Sequence, residues 1–95
     1  MKEFKGTPGP WFAEYSRENN AYEIAPMDRN GITMAWDKEI CITADNNVEN
    51  AQLISAAPDL LKVAISIVSG WERKAGISYQ DIIDARAAIA KALGN

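Results

Sequence analysis

"NAQLISAAPDLL", Asn50 to Leu61, decides how the second half of this chain folds. Residues with helical spacing run up to Ala56, Ala57 and Pro58, and the same spacing resumes beyond them. Proline lacks an N–H and its ring clashes with the preceding turn, so a straight helix through Pro58 costs roughly 3 kcal/mol. In the first turn of a new helix the missing donor costs nothing, because that N–H has no partner within the helix anyway. Asp59, directly after it, suits the positive end of a helix dipole. The stretch therefore reads as one helix to about Ala56, a kink or break, and a second helix from Pro58 to about Ser69. Asn50, Leu53, Ile54, Ala57, Leu61, Ala64, Ile65 and Val68 keep one phase across the proline. That phase predicts two segments packed on the same surface.

Upstream, Asp45 or Asn46 can cap a helix beginning near Asn47, with Glu49 in its first turn. Downstream, Gly70 and Gly76 bracket a connector, "WERKA". Ser78 caps a last helix with Asp81 in the third position of a capping box, and Gly94 ends it. Its inward stripe reads as Tyr79, Ile82, Ile83, Arg86, Ile89, Ala90 and Leu93. Ile67, Ala85, Ala88 and Ala92 then fall off the inner stripes, which predicts a dimer or larger assembly with helical surface in the contact.

The surface those helices need is in the first half. "KGTPGP" (residues 5–10) cannot be regular structure, since Pro8 and Pro10 fix their own φ and extend the residues before them. "WFAEYS" (Trp11 to Ser16) alternates as a strand with Trp11, Ala13 and Tyr15 on one side. "RENN" is turn chemistry, "AYEIA" (Ala21 to Ala25) a second strand, and "DRNG" (Asp28 to Gly31) a type I′ hairpin signal. "ITMAW" (Ile32 to Trp36) and "ICIT" (Ile40 to Thr43) complete four strands, expected as an antiparallel meander with one covered face. The expected fold is α+β: about four strands, a Pro-interrupted helix pair and a C-terminal helix packed on the sheet. Residues 1–95 form one domain, strand-rich over 1–45 and helical over 46–95.

Composition narrows the function classes. Hydrophobic content of 47% with 24% charged residues belongs to a folded domain. The run "LLKVAISIV" is far short of a membrane span, and "MKEFKGTPGPW" has no apolar stretch of signal-peptide length. No membrane association is expected. Ten Lys and Arg are scattered among thirteen acids for a net charge of −3, without the basic face that nucleic-acid binding needs. One cysteine and no histidine remove the usual zinc sets and the commonest general base at neutral pH. Neither a phosphate-binding glycine loop nor a catalytic pair stands out, so no enzyme activity and no cofactor are expected.

Three segments in order, "TPGPW" (Thr7 to Trp11), "NAQLISAAPDLL" and "ARAAIAKALG" (Ala85 to Gly94), resemble a widespread group of small proteins encoded by tailed phages and prophages. Members carry an N-terminal T-P-G-P-W and a central N-A-x-L-I-x-A-A-P-x-L-L. The group is largely uncharacterised. What the resemblance implies is a phage accessory protein in the host cytoplasm, of a kind that counters host defence.

Four residues are candidates for that work. Trp11 either anchors the first strand in the core or stacks on a nucleobase. Arg86, read as lying on an inward stripe, either snorkels or pairs internally, or offers a bidentate fork to a phosphate. Asn50, read on the inner face, either bonds backbone or reads a ligand's polar edge. Trp71, beside Gly70 and a charged run, either closes the helix end or anchors an interface. Cys41 reads as a buried thiol without the His partner of a nucleophile. The expected partners are the chain itself, as a homodimer or larger, and a small nucleotide-derived signal held between copies. The alternative partner is a host defence protein such as a CRISPR surveillance complex.

Overall fold

The computed structural model describes residues 3–26 and 39–95. The expected hairpin at Asp28–Gly31, the strand Ile32–Trp36 and the core role of Trp36 lie outside the described residues.

Strands β1 (Trp11–Ser16) and β2 (Ala21–Pro26) pair antiparallel, with Trp11 opposite Pro26, Ala13 opposite Ile24 and Tyr15 opposite Tyr22. Residues 17–20 turn the chain as their composition dictates. Asn20 takes the left-handed conformation (φ 48°) that Asn tolerates, and its Oδ1 accepts from the Tyr15 hydroxyl. The short strand β3 (Cys41–Ile42) lies directly against β2, so the order is β1-β2-β3. The described strands thus follow one another antiparallel in sequence order, as expected of a meander, but number three rather than about four. β2 has β1 on one edge and the segment around Cys41 on the other. Ile40 N–H donates to Ile24 O (2.7 Å) and Thr43 N–H to Tyr22 O (2.8 Å), extending that pairing at both ends. Ile24 and Ala25, neighbours pointing to opposite faces of β2, are both fully buried, so the strand is covered on two sides there.

Three helices follow: α1 (Val48–Ser55), α2 (Ala57–Glu72) and α3 (Tyr79–Leu93). The cap of α1 is Asn47, whose side chain accepts from Asn50 N–H (2.9 Å). The expected caps are displaced because Asp45 turns its carboxylate to Asn47 N–H (3.0 Å) and so shapes the approach to the helix. Ala56 alone separates α1 from α2, and the two axes bend by 44°. Pro58 stands in the first turn of α2, as its missing donor requires, and α2 runs on through Gly70 to Glu72 rather than stopping near Ser69. No single described helix is long and apolar enough to cross a membrane.

Pro58 also receives the N-terminal segment. A Cβ on Gly9 would stand 2.5 Å from Cβ of Pro58, so only glycine admits this approach. "TPGP" and "AAP", distant in sequence, are one contact in the fold.

The bend separates two packing environments. α1 lies on β1 and β2, and α3 packs along both α1 and α2, whereas α2 pairs chiefly with α3. The expectation that both segments cover the sheet is corrected by that 44° turn. α2 and α3 form an antiparallel hairpin joined to the sheet through α1 and through the end of α3, where Lys91 Nζ lies 4.8 Å from the centre of the Phe12 ring.

Candidate functional site

The hairpin is sewn along one seam. Ser66 Oγ donates to Asp81 Oδ1 (2.6 Å), and Lys91 Nζ meets Asp59 Oδ2 at 3.1 Å. Gly70 abuts the Gly76 carbonyl so closely that a Cβ would come within 2.6 Å of its oxygen. On α2 this seam follows Asp59, Val63, Ser66 and Gly70; on α3 it follows Asp81, Ala85, Ala88 and Ala92, both at i, i+4, i+7, i+11. Small side chains there let the helices approach closely. Asp81 closes the capping box as expected: Ser78 N–H donates to its Oδ2 and Asp81 N–H to Ser78 Oγ, both at 3.0 Å. The Ser66 hydroxyl first, and then the Ser78 amide, hold the Asp81 carboxyl below the ordinary carboxylate range.

The seam corrects the expected inward stripe of α3. Ile82, Ile83, Ile89, Tyr79 and Leu93 are exposed, while Asp81 and Ala88 are buried. On α1, likewise, Ala51 and Ser55 are buried, and Asn50 and Leu53 face water. In both cases the most apolar side of the helix is not the side the chain itself covers.

A quarter turn round α2 from the seam stand Leu60, Ala64, Ile67 and Trp71; the matching flank of α3 carries Ile82, Ile89 and Leu93. Because the helices are antiparallel, these flanks open on the same side and make one face. Exposure on it reaches 51% at Ile89, 67% at Leu93 and 77% at Trp71. The opposite side of the hairpin is mixed, with Lys62, Ile65 and Ser69 from α2, Arg73 just past its end, and Gln80, Asp84 and Lys91 from α3.

The four residues singled out by sequence fall on different elements. Arg86 is exposed, at the edge of the apolar face between the levels of Ile82 and Ile89, and is not on the seam. A hydrated guanidinium needs no internal carboxylate, so the demand for a buried partner lapses. Asn50 is exposed in the first turn of α1 and lines a hollow with Thr43, Ala44, Asp45, Leu53 and Ile54 that includes neither Trp11 nor Arg86. Trp11 is half-buried on β1, and its Nε1–H donates to Thr7 O (3.2 Å). Trp71 is open to solvent at the far end of the hairpin.

A further hollow of about 380 Å³, not foreseen from sequence, lies where Phe4, Pro8, Gly9 and Pro10 meet Pro58, Leu61 and Ile65 of α2. The glycine between two prolines is the signal that could have marked this close contact. Cys41 is half-buried; burial, and then the neighbouring Glu39 carboxylate, push its thiol above the ordinary value and away from nucleophilic use. Among the described residues no three metal-ligating side chains converge.

Over residues 1–95 the chain matches the family of Salmonella phage P22 protein Y8K6, and it belongs to that phage protein family. No curated protein and no solved structure matches it.

Proposed function

We propose that this member of a phage protein family acts by binding rather than by catalysis, as a homo-oligomer that sequesters a nucleotide-derived immune signal of the host. One observation carries the oligomeric part. Among the described residues the buried aliphatic side chains are Ile24 and five alanines, while Leu93, Ile89 and Trp71 stand in water. A monomer seldom leaves a continuous apolar face of that kind uncovered.

The ligand class rests on other ground. Small phage accessory proteins commonly counter host defence, and Arg86 offers an exposed planar fork suited to phosphate. Sites between copies are the arrangement that would bring Arg86, Trp11 and Asn50 to one ligand, since within one chain they lie on three separate elements.

The test pairs light scattering with a thermal-shift screen of cyclic and linear nucleotides. The expected result is a multiple of the 10.4 kDa chain mass, with a melting temperature raised by a nucleotide that binds only the native state. Arg86→Lys keeps the charge and loses the fork, so the ligand-induced shift should shrink while the unliganded protein melts as before. An oligomer that no nucleotide stabilises would remove the ligand class and leave the assembly.

Trp71 favours a second reading, an inhibitor that docks on a host protein machine such as a CRISPR surveillance complex. A tryptophan 77% exposed at the end of a helical hairpin has the character of an interface anchor. A host protein recovered stoichiometrically with wild type and lost with Trp71→Ala would favour this reading over the first.

A further inference from the structure

We infer that a second copy of this chain covers the apolar face shared by α2 and α3, so that two hairpins stack into a four-helix bundle. The inference rests on the oligomeric reading above and names its surface and geometry.

The spacing comes first. Positions 60, 64, 67 and 71 on α2, and 82, 86, 89 and 93 on α3, follow i, i+4, i+7, i+11, the pattern of helices that pack side by side. Arg86 is the single charge among the eight, and it sits toward the outer edge, where its head reaches water. The hairpin's internal seam is made of small and polar groups, which leaves its larger aliphatics to the flank. Stacking a second hairpin there turns the flanks inward and gives the arrangement of an antiparallel bundle.

Charge then selects the partner. Each copy carries a net charge of −3, so two copies repel unless they meet on a surface free of acids. This face has none, whereas the opposite side of the hairpin carries Asp84. A two-fold interface must also complement itself. A face that is apolar at its centre, with its one charge (Arg86) at the outer edge, meets its own copy without opposing like charges at the middle of the contact. Size agrees: sixteen residues of α2 make a helix about 24 Å long, and two such helices side by side present a slab about 20 Å wide. With side-chain relief, that is of the order of the ~800 Å² each partner contributes to a stable interface.

The experiment is light scattering across a dilution series of wild type, Ile89→Glu and, as a control away from the face, Leu53→Glu, with circular dichroism on each. Wild type and Leu53→Glu should associate equally. Ile89→Glu should remain helical and dissociate at concentrations about 30-fold higher or more, the loss expected of a central interface residue. If Ile89→Glu does not fold, Ile82→Ala decides: weakened association supports the interface, and unchanged association overturns it. An assembly broken by Leu53→Glu and untouched by Ile89→Glu would place the contact elsewhere while keeping the oligomeric reading. A monomeric wild type would overturn both, and a monomer that captured a host protein through this face would give the face to that partner.

Discussion

Ile24 on β2 and Ile89 on α3 are the same side chain in opposite circumstances. The first is fully buried on one face of β2; the second is 51% exposed on a helix that is otherwise well formed. Around Ile24, strand pairing, α1 and the buried alanines Ala25 and Ala51 complete each other within one chain. Around Ile89, capping and the Ser66–Asp81 and Asp59–Lys91 contacts complete the hairpin's geometry and leave its apolar flank open. The two regions therefore divide by what completes them: the sheet end covers its own large aliphatic side chain, and the hairpin leaves apolar surface uncovered by its own chain.

The largest effect should come from breaking that division at its core. Ile24→Ala removes the one large aliphatic side chain that is fully buried among the described residues. Truncation at such a site costs about 2–5 kcal/mol, so chemical denaturation should show a large part of a small domain's stability lost. Ile89→Ala, the same change at an exposed position, should move the stability of the isolated monomer by no more than ~0.5 kcal/mol. Comparable losses in the two variants, measured below the association range, would abolish the contrast.

Next in size is Gly9→Ala, which probes how the N-terminal segment is tied to the helices. The added methyl would lie 2.5 Å from Cβ and 3.0 Å from Cγ of Pro58, and a ring in a helix's first turn has little room to yield. Overpacking of this kind costs about 1–3 kcal/mol. Repeating Gly9→Ala in a Pro58→Gly background removes the obstructing atoms, so the added cost should fall. An undiminished cost would mean that the clash is not with Pro58.

A smaller effect, with a defined pH dependence, belongs to the start of α3. The folded Asp81 carboxyl is held below its ordinary value by the Ser66 hydroxyl and the Ser78 amide, so its contribution is complete above the unfolded carboxylate pKa of about 3.9 and is lost as pH falls through the lower folded value. The stability difference between wild type and Asp81→Asn should be constant near neutral pH and shrink in acid below about pH 4. A difference that does not change with pH would show that the hydrogen bonds, and not the charge, carry the stabilisation.

Legibility in the sequence follows the range of the interactions involved. The capping box of Ser78 and Asp81, the left-handed Gly94, the turn at residues 17–20 and the interruption at Ala56–Pro58 are set by neighbours, and all were readable. The face of α3 was not. A hydropathy stripe picks out Ile82, Ile89 and Leu93 as inward, but the chain's own seam is built of Asp81, Ala85, Ala88 and Ala92, whose value lies in small size and one hydrogen bond. Hydropathy finds the surface that must be covered and does not say whether the cover belongs to the same chain. Placing Arg86 and Asn50 inside followed from that one step, and their exposure leaves both free for a ligand or a partner. The position of Cys41 beside β2 depended on a long-range pairing that no local pattern records.

The smallest expected effect concerns Pro58, where the two regions join. Ala56, with φ −86° and ψ −5°, is close to helical, and its carbonyl already accepts from Leu60 N–H at 2.9 Å. Little besides the proline keeps α1 and α2 from continuing as one helix. Pro58→Ala restores an N–H and frees the unfolded chain, which by itself costs about 0.4–1 kcal/mol. It retains the Cβ against which Gly9 packs, so the N-terminal segment keeps its seat. The restored donor can offset part of the entropic loss by extending the helical hydrogen bonding across the junction. Net stability should therefore change by less than ~1 kcal/mol, with the same oligomeric mass by light scattering. A much larger loss, or a change of mass, would show that the proline-held bend of 44° positions the hairpin for association as well as starting a helix.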